Sequence, residues 1–171
     1  MNSFARSGSI TLRRLRAGDL DAFQAYRTDP SVARYQNWSR MDDIQAAGFL
    51  RQMETEPLLD PGRWCQIAVA DALSDRLLGD MGLFLSNDGA EAELGITLAR
   101  SAQGHGHATT AVKLAFDLIW ENSPAQIIRA WGDQRNTASL SLMRRAGMIH
   151  LGTEITDVTE EAFALHRPNS G

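Results

Sequence analysis

Ten residues, SAQGHGHATT from Ser101 to Thr110, set two glycines and two histidines between an alternating stretch and a long amphipathic one. His105 and His107 are one residue apart, and imidazole is a common metal ligand. The other histidines, His150 and His166, lie in distant strand-like segments, no carboxylate stands beside the pair, and the single cysteine is elsewhere. The spacing therefore argues against a metal site. A dinucleotide fingerprint G-x-G-x-x-G fails because its third glycine would be Thr109. A P-loop fails for want of Gly-Lys-Ser/Thr. A phosphate cradle fits, since a glycine-rich loop opening a helix aims successive backbone N–H groups at one place, where the helix dipole adds positive potential. A plain strand-to-helix turn fits as well, because Gly104 and Gly106 permit one. On local chemistry alone these two readings stand level.

The elements that must position this loop follow from hydrophobic periodicity. SITLRRL alternates through Ile10, Leu12 and Leu15 as a strand, and AGDLDAFQAYRTDP predicts a short helix ended by Pro30. A second helix is expected from MDDIQAAGF to Glu56–Pro57, with Asp42 and Asp43 at its N-terminal end. The period then becomes two: WCQIAVA, LLGDMGLFL and AELGITLA form an antiparallel meander, with Leu94, Ile96 and Leu98 on one side. After the Gly-His loop, Ala108, Ala111, Val112, Ala115, Leu118 and Ile119 form a helical stripe that Pro124 stops. QIIRAW supplies a buried strand. NTASLSLMRRAG is a helix with Asn136 as N-cap and Gly147 as its left-handed end. MIHLG and EEAFALH complete the sheet. The unit AELGITLA, helix, QIIRAW is a crossover whose two strands must run parallel.

A chain of 171 residues, 43% hydrophobic, closes one core rather than two, which predicts a single domain over 1–171. Charges of both signs are interspersed and the net charge is -4, which leaves no electrostatic footprint for nucleic acid. Arg13, Arg14 and Arg16 are expected on a solvated strand edge. The longest mainly apolar stretch, AVKLAFDLIW, is interrupted by Lys113 and Asp117, and the start lacks the order of a secretory signal. No membrane partner is expected, and a cytoplasmic location fits the lone Cys65, read as an inert buried thiol.

The wider segment resembles the GNAT superfamily of acetyl-CoA-dependent N-acetyltransferases. Their cofactor loop reads Gln/Arg-x-x-Gly-x-Gly/Ala, and Gln103, Gly106 and Ala108 stand at those positions between a strand and a helix. A second family block, Asn-x-x-Ser/Ala-x-x-Leu-x-x-x-x-Gly-Phe, is similar to NTASLSLMRRAGM, where Asn136, Ser139, Leu142 and Gly147 match and Met148 replaces the aromatic. Within the superfamily the opening strand, the DPSVARYQNW loop and the cofactor block are similar to the RimJ/RimL-type group, whose better-known members acetylate N-terminal amines of ribosomal proteins. The resemblance implies an α/β (α+β) GNAT fold. Its central sheet is mixed, mostly antiparallel and twisted, with about seven strands, a parallel splayed pair and about four flanking helices.

The resemblance also implies roles. Acetyl-CoA is the cosubstrate, held by Ile96, Leu98, Gln103, Gly104, His105, Gly106, His107, Ala108, Thr109, Asn136 and Ser139. The acceptor is a primary amine, on a small molecule or a peptide N-terminus, attacking the thioester directly in a ternary complex. A backbone N–H where GITLA splays from IIRAW meets the oxyanion, a donor worth roughly 3–4 kcal/mol. Glu93 stands where several family members relay a proton through water and is the candidate base, with Glu91 an equally acidic neighbour. Many members donate a proton to the leaving thiolate from a tyrosine four residues after the Ser139 position, where this chain has Met143. Ser139, one turn earlier, can hydrogen-bond the departing sulfur directly or hold a water beside it, as the resemblance to RimL-type enzymes implies. Tyr35 and Trp38 lie in the loop that roofs the acceptor groove in this family; they line the pocket or staple the loop to the core, with Trp38 favoured for the pocket. Trp131 is expected in the core. Met143 keeps open a non-catalytic acyl-CoA-binding module, and the protein is expected as a monomer or homodimer.

Overall fold

The computed structural model describes residues 3–169. Eight strands of one sheet are ordered β1-β2-β3-β4-β5-β6-β8-β7: β1 Ser3–Ser7, β2 Ile10–Arg14, β3 Trp64–Asp71, β4 Leu77–Leu85, β5 Glu91–Leu98, β6 Ile127–Asp133, β7 Ile149–Ile155 and β8 Thr159–His166. Five α-helices accompany them: α1 Leu20–Arg27, α2 Pro30–Ala33, α3 Asp43–Met53, α4 His107–Asn122 and α5 Thr137–Arg145. The expected mixed, mostly antiparallel sheet with one parallel pair is present, enlarged by one strand and one helix. The added strand, β1, pairs antiparallel with β2 at the sheet's edge. The added helix, α2, is a single turn in which Pro30 is the first residue rather than a terminator. Proline suits that position because its missing N–H is not needed there, and Asp29 caps the turn by accepting from the Ser31 amide.

The sheet separates two apolar layers. Ile10 and Leu12 of β2, Ile67 and Val69 of β3, and Met81 and Leu83 of β4 face α4, whose buried stripe is Ala111, Val112, Ala115, Phe116, Leu118 and Ile119. Each large side chain so buried contributes on the order of 1.5–3 kcal/mol. The opposite layer holds Leu15, Phe23, Tyr26, Leu50 and Met53, which pack α1 and α3 against the other face. Leu15 therefore departs from the expected stripe: β2 ends at Arg14, and an odd-numbered position turns away from Ile10 and Leu12.

Of the arginine cluster expected on a solvated edge, Arg16 is exposed and Arg14 half-buried, but Arg13 is not solvated. β2 is covered by β1, and Arg13 is buried, its guanidinium donating to both carboxylate oxygens of Asp19 at 2.9 Å and to Asp75 at 2.7 Å. Cys65 is buried as expected, and burial pushes its thiol up to about 11. Among the described residues, no helix is long and apolar enough to cross a membrane.

Candidate active site

β5 and β6 run parallel for three registered pairs, Glu91 with Ile127, Ala92 with Ile128 and Glu93 with Arg129. Beyond Glu93 the strands splay. β5 keeps an unbroken register with β4 from Ala92 to Leu98. At its ends the Glu91 carbonyl accepts from Ser86 and the Ala99 amide donates to Leu78. Alternation then turns the main-chain groups of Leu94, Ile96 and Leu98 toward the opened gap. Of these, the Leu98 carbonyl is taken by Gln103 Nε2 at 3.1 Å, which ties the following loop to the strand.

That loop meets α4 with two left-handed glycines, Gly104 at φ 79° and Gly106 at φ 78°. Gly106 is the N-cap and supplies no side-chain cap, and a Cβ built at either glycine would meet nothing within 4 Å. The Gln103 amide donates to the Arg100 carbonyl and the Thr110 amide to Gly106, whereas the six amides from Gly104 to Thr109 have no protein acceptor among the described residues. Six free donors at the positive end of a 16-residue helix, with open space in front, suit a diphosphate. His105 and His107 flank this opening with ring centroids 5.7 Å apart. Among the described residues no three His, Cys, Asp or Glu groups gather to hold a metal.

A cavity of about 530 Å³ lies at the splay. On β5, Glu93, Gly95 and Thr97 line it from one face of the sheet and Leu94 and Ile96 from the other, so the cavity passes through the sheet where the strands part. Asn136, Ser139 and Met143 of the α5 region reach it from the α4 side. Asn136 caps α5 as expected, accepting from the Ser139 amide at 3.2 Å. Gly132 of β6 allows the close approach: a Cβ there would stand 3.2 Å from Ser139 Oγ and 3.1 Å from Leu140 Cδ2. Met143, one turn beyond Ser139, is 2% exposed and has no proton to give.

On the other face, Tyr35 and Trp38 line the cavity together with Trp64, Gln66 and Trp131. Trp38 is held by Arg27, whose guanidinium lies 4.2 Å from its ring centroid. Arg27 in turn pairs at 3.0 Å with Asp80, which is 1% exposed and also accepts from Gln66 Nε2 at 2.7 Å and from the Tyr26 hydroxyl. Trp131 is not in the core: it is half-buried on the cavity wall, its indole N–H donating to Glu154 at 2.9 Å. Gln66 could have been found as the polar interruption of WCQIAVA. Glu154 and Glu160 carry no sequence signal, because only the pairing of β7 and β8 with β6 brings them to the wall.

The two acidic neighbours on β5 differ in environment. Glu91 is paired with Arg129 through two bonds, of 2.7 and 3.0 Å, and that pairing lowers its pKa. Glu93 forms no ion pair among the described residues and faces the cavity; burial, then the charge of Glu91, raises its pKa from the ordinary glutamate value. A raised carboxylate in a cleft suits proton transfer better than a neutralised one.

Residues 9–149 match the acetyltransferase (GNAT) domain, and the chain belongs to that family of acetyltransferases. The fold is similar to a GNAT-family acetyltransferase from Bacillus anthracis, at TM-score 0.83 and 16% identity over 94% of this chain and 96% of that one. It is similar to spermidine N-acetyltransferase from Vibrio cholerae, solved with CoA and spermine, at TM-score 0.79 and 18% identity over 94% and 96%. The microcin C7 self-immunity acetyltransferase MccE, solved with acetyl-CoA and AMP, aligns at TM-score 0.78 and 13% identity over 94% of each chain. No curated protein matches the sequence.

Proposed function

We propose that this protein transfers the acetyl group of acetyl-CoA to a primary amine held on the Glu93 side of the sheet, by direct attack in a ternary complex, as in the RimJ/RimL-type group. The observation that carries the reading is the junction of two features: six unclaimed amides from Gly104 to Thr109, and the splayed strands with free main-chain groups that open from the same loop. Acetyl-CoA, when bound, supplies an activated acetyl thioester. The loop amides, with His105 and His107 flanking them, bind its diphosphate, and Gln103 positions the loop through Leu98. Main-chain groups of Leu94 and Ile96 hold the pantetheine arm along β5 and offer N–H donors for the negative charge that develops on the carbonyl oxygen. Asn136 fixes the start of α5 and faces the same channel.

Glu93 accepts a proton from the incoming amine, directly or through one water. The need is real: an alkyl amine of pKa near 10.4 is neutral in only about one molecule in 2,500 at neutral pH, an α-amine near 8 in about one in ten. Ser139 Oγ, placed beside Gly132 on the cavity wall, hydrogen-bonds the departing sulfur directly or through a water, as Met143 cannot, and the thiolate takes its proton from solvent.

The test is calorimetric titration with acetyl-CoA and with desulfo-CoA, followed by thiol release across a panel of primary amines. Binding with amine-dependent thiol release is the expected outcome. Tight binding with no turnover of any amine would replace the enzyme by the acyl-CoA-binding module that buried Met143 keeps open.

A further inference from the structure

Four carboxylates, Glu93, Asp133, Glu154 and Glu160, line the cavity, and no lysine, arginine or histidine does. Asp133 is paired with Arg135 at 2.7 Å, Arg129 with Glu91 and Arg27 with Asp80, and Arg34 lies over the Tyr35 ring. Glu93, Glu154 and Glu160 form no ion pair among the described residues. In a protein whose whole net charge is -4, three carboxylates without an ion-pair partner on one wall are a concentration of charge in one place. Aromatic rings accompany them: Tyr35 and Trp38 already carry arginines of the protein, whereas Trp64 and Trp131 line the same space with no cation stacked on them among the described residues, and their π-systems attract cations. Trp64 is 51% exposed, so it stands at the rim rather than in the core. The Trp131 indole fixes the Glu154 carboxylate on the wall.

Building on the acetyl-transfer reading above, we infer that the acceptor is a linear polycationic amine, carrying at least one further protonated nitrogen besides the one that reacts. Only the reacting nitrogen must become neutral, and Glu93 stands at the splay where that occurs. A second ammonium keeps its charge and is held by Glu154 and Glu160, which face each other across the β7–β8 pair. Glu93 is level with Arg129 and Glu160 with Asp133, four residues further along β6, or about 13 Å before side-chain reach shortens the gap. The two charges of the acceptor therefore stand several bonds apart, as in a flexible oligoamine. An acceptor with a carboxylate or phosphate beside its amine meets repulsion from the same wall. This makes Glu154 and Glu160 specificity-determining residues.

The experiment compares spermidine with hexylamine, a monoamine of similar reach, by acetyl-CoA-dependent thiol release. The kcat/KM for spermidine is expected to exceed that for hexylamine about tenfold, and the advantage shrinks with added salt. In the double variant Glu154→Gln with Glu160→Gln, the spermidine-to-hexylamine ratio falls about tenfold, mainly through KM for spermidine, while acetyl-CoA affinity reports an intact fold. Equal use of the two amines, or an unchanged ratio in the double variant, overturns the inference and leaves acetyl transfer standing. A preference for kanamycin over spermidine overturns the linear chain in favour of a rigid polycation. If acetyl-CoA binds and no amine turns over, the acetyl-transfer reading itself fails and this inference goes with it.

Discussion

Replacing Glu93 by Gln keeps the side chain's size and removes its ability to accept a proton. In the parent protein the acid limb of kcat/KM reports Glu93, since only the ionised carboxylate can take the amine's proton. Burial and the charge of Glu91 raise its pKa, so that limb is displaced upward from where a free glutamate would put it and activity is lost as pH falls through it. A positioned base contributes about 100-fold to 10,000-fold. With Gln in place, an alkyl amine must arrive already neutral, a state of about one molecule in 2,500 at pH 7, and its kcat/KM is expected to drop about 100-fold. An α-amine, about a tenth neutral, is expected to lose about tenfold or less. The two deficits converge as the pH approaches about 10, where free amine is plentiful. The assay is the pH profile of thiol release for one amine of each class in parent and Glu93→Gln. Glu91→Gln serves as the contrast and retains the acid limb, because the Glu91 carboxylate is already occupied by Arg129. Equal losses for both amine classes, or an acid limb that survives in Glu93→Gln, would refute the assignment.

Gly106→Asp places a negative charge among the free amides and a side chain at φ 78°. Acetyl-CoA affinity should fall at least about tenfold by calorimetry, and the left-handed backbone adds a cost of about 1 kcal/mol, a small drop in melting temperature. Unaltered affinity would remove the loop from cofactor binding. Asp80→Asn leaves Arg27 buried without its counter-charge, and breaking such a pair costs about 3 kcal/mol, measurable as a lower urea midpoint. Loss of less than about 1 kcal/mol would mean that Arg27 finds another partner.

The chemistry-bearing loop was readable because glycine placement, a helical stripe and an N-cap are local signals, and α4, α5, Asn136 and Gly147 stand where periodicity puts them. The parallel pair followed from the crossover alone. What sequence reading missed depends on distant partners. SFARS has no alternation, because β1 is mostly exposed and is held by main-chain pairing to β2. Arg13 reads as a surface charge until Asp19 and Asp75 surround it, and a single residue of strand length reverses the face that Leu15 occupies. Trp131 looked like core because the residues before it are apolar. Its wall position depends on the splay from β5, which no spacing within either strand announces.

The short ladder between β5 and β6 has a mechanical meaning. Strands β1 to β5 form one leaf and β6, β8 and β7 another, joined within the sheet by three registered pairs, whereas β4 and β5 share seven. The seam between the leaves is thus the weakest weld in the sheet, and α4 packs on β1, β2 and β5 of the first leaf. Any molecule lying in the crease touches both leaves at once and adds contacts where the sheet itself has fewest.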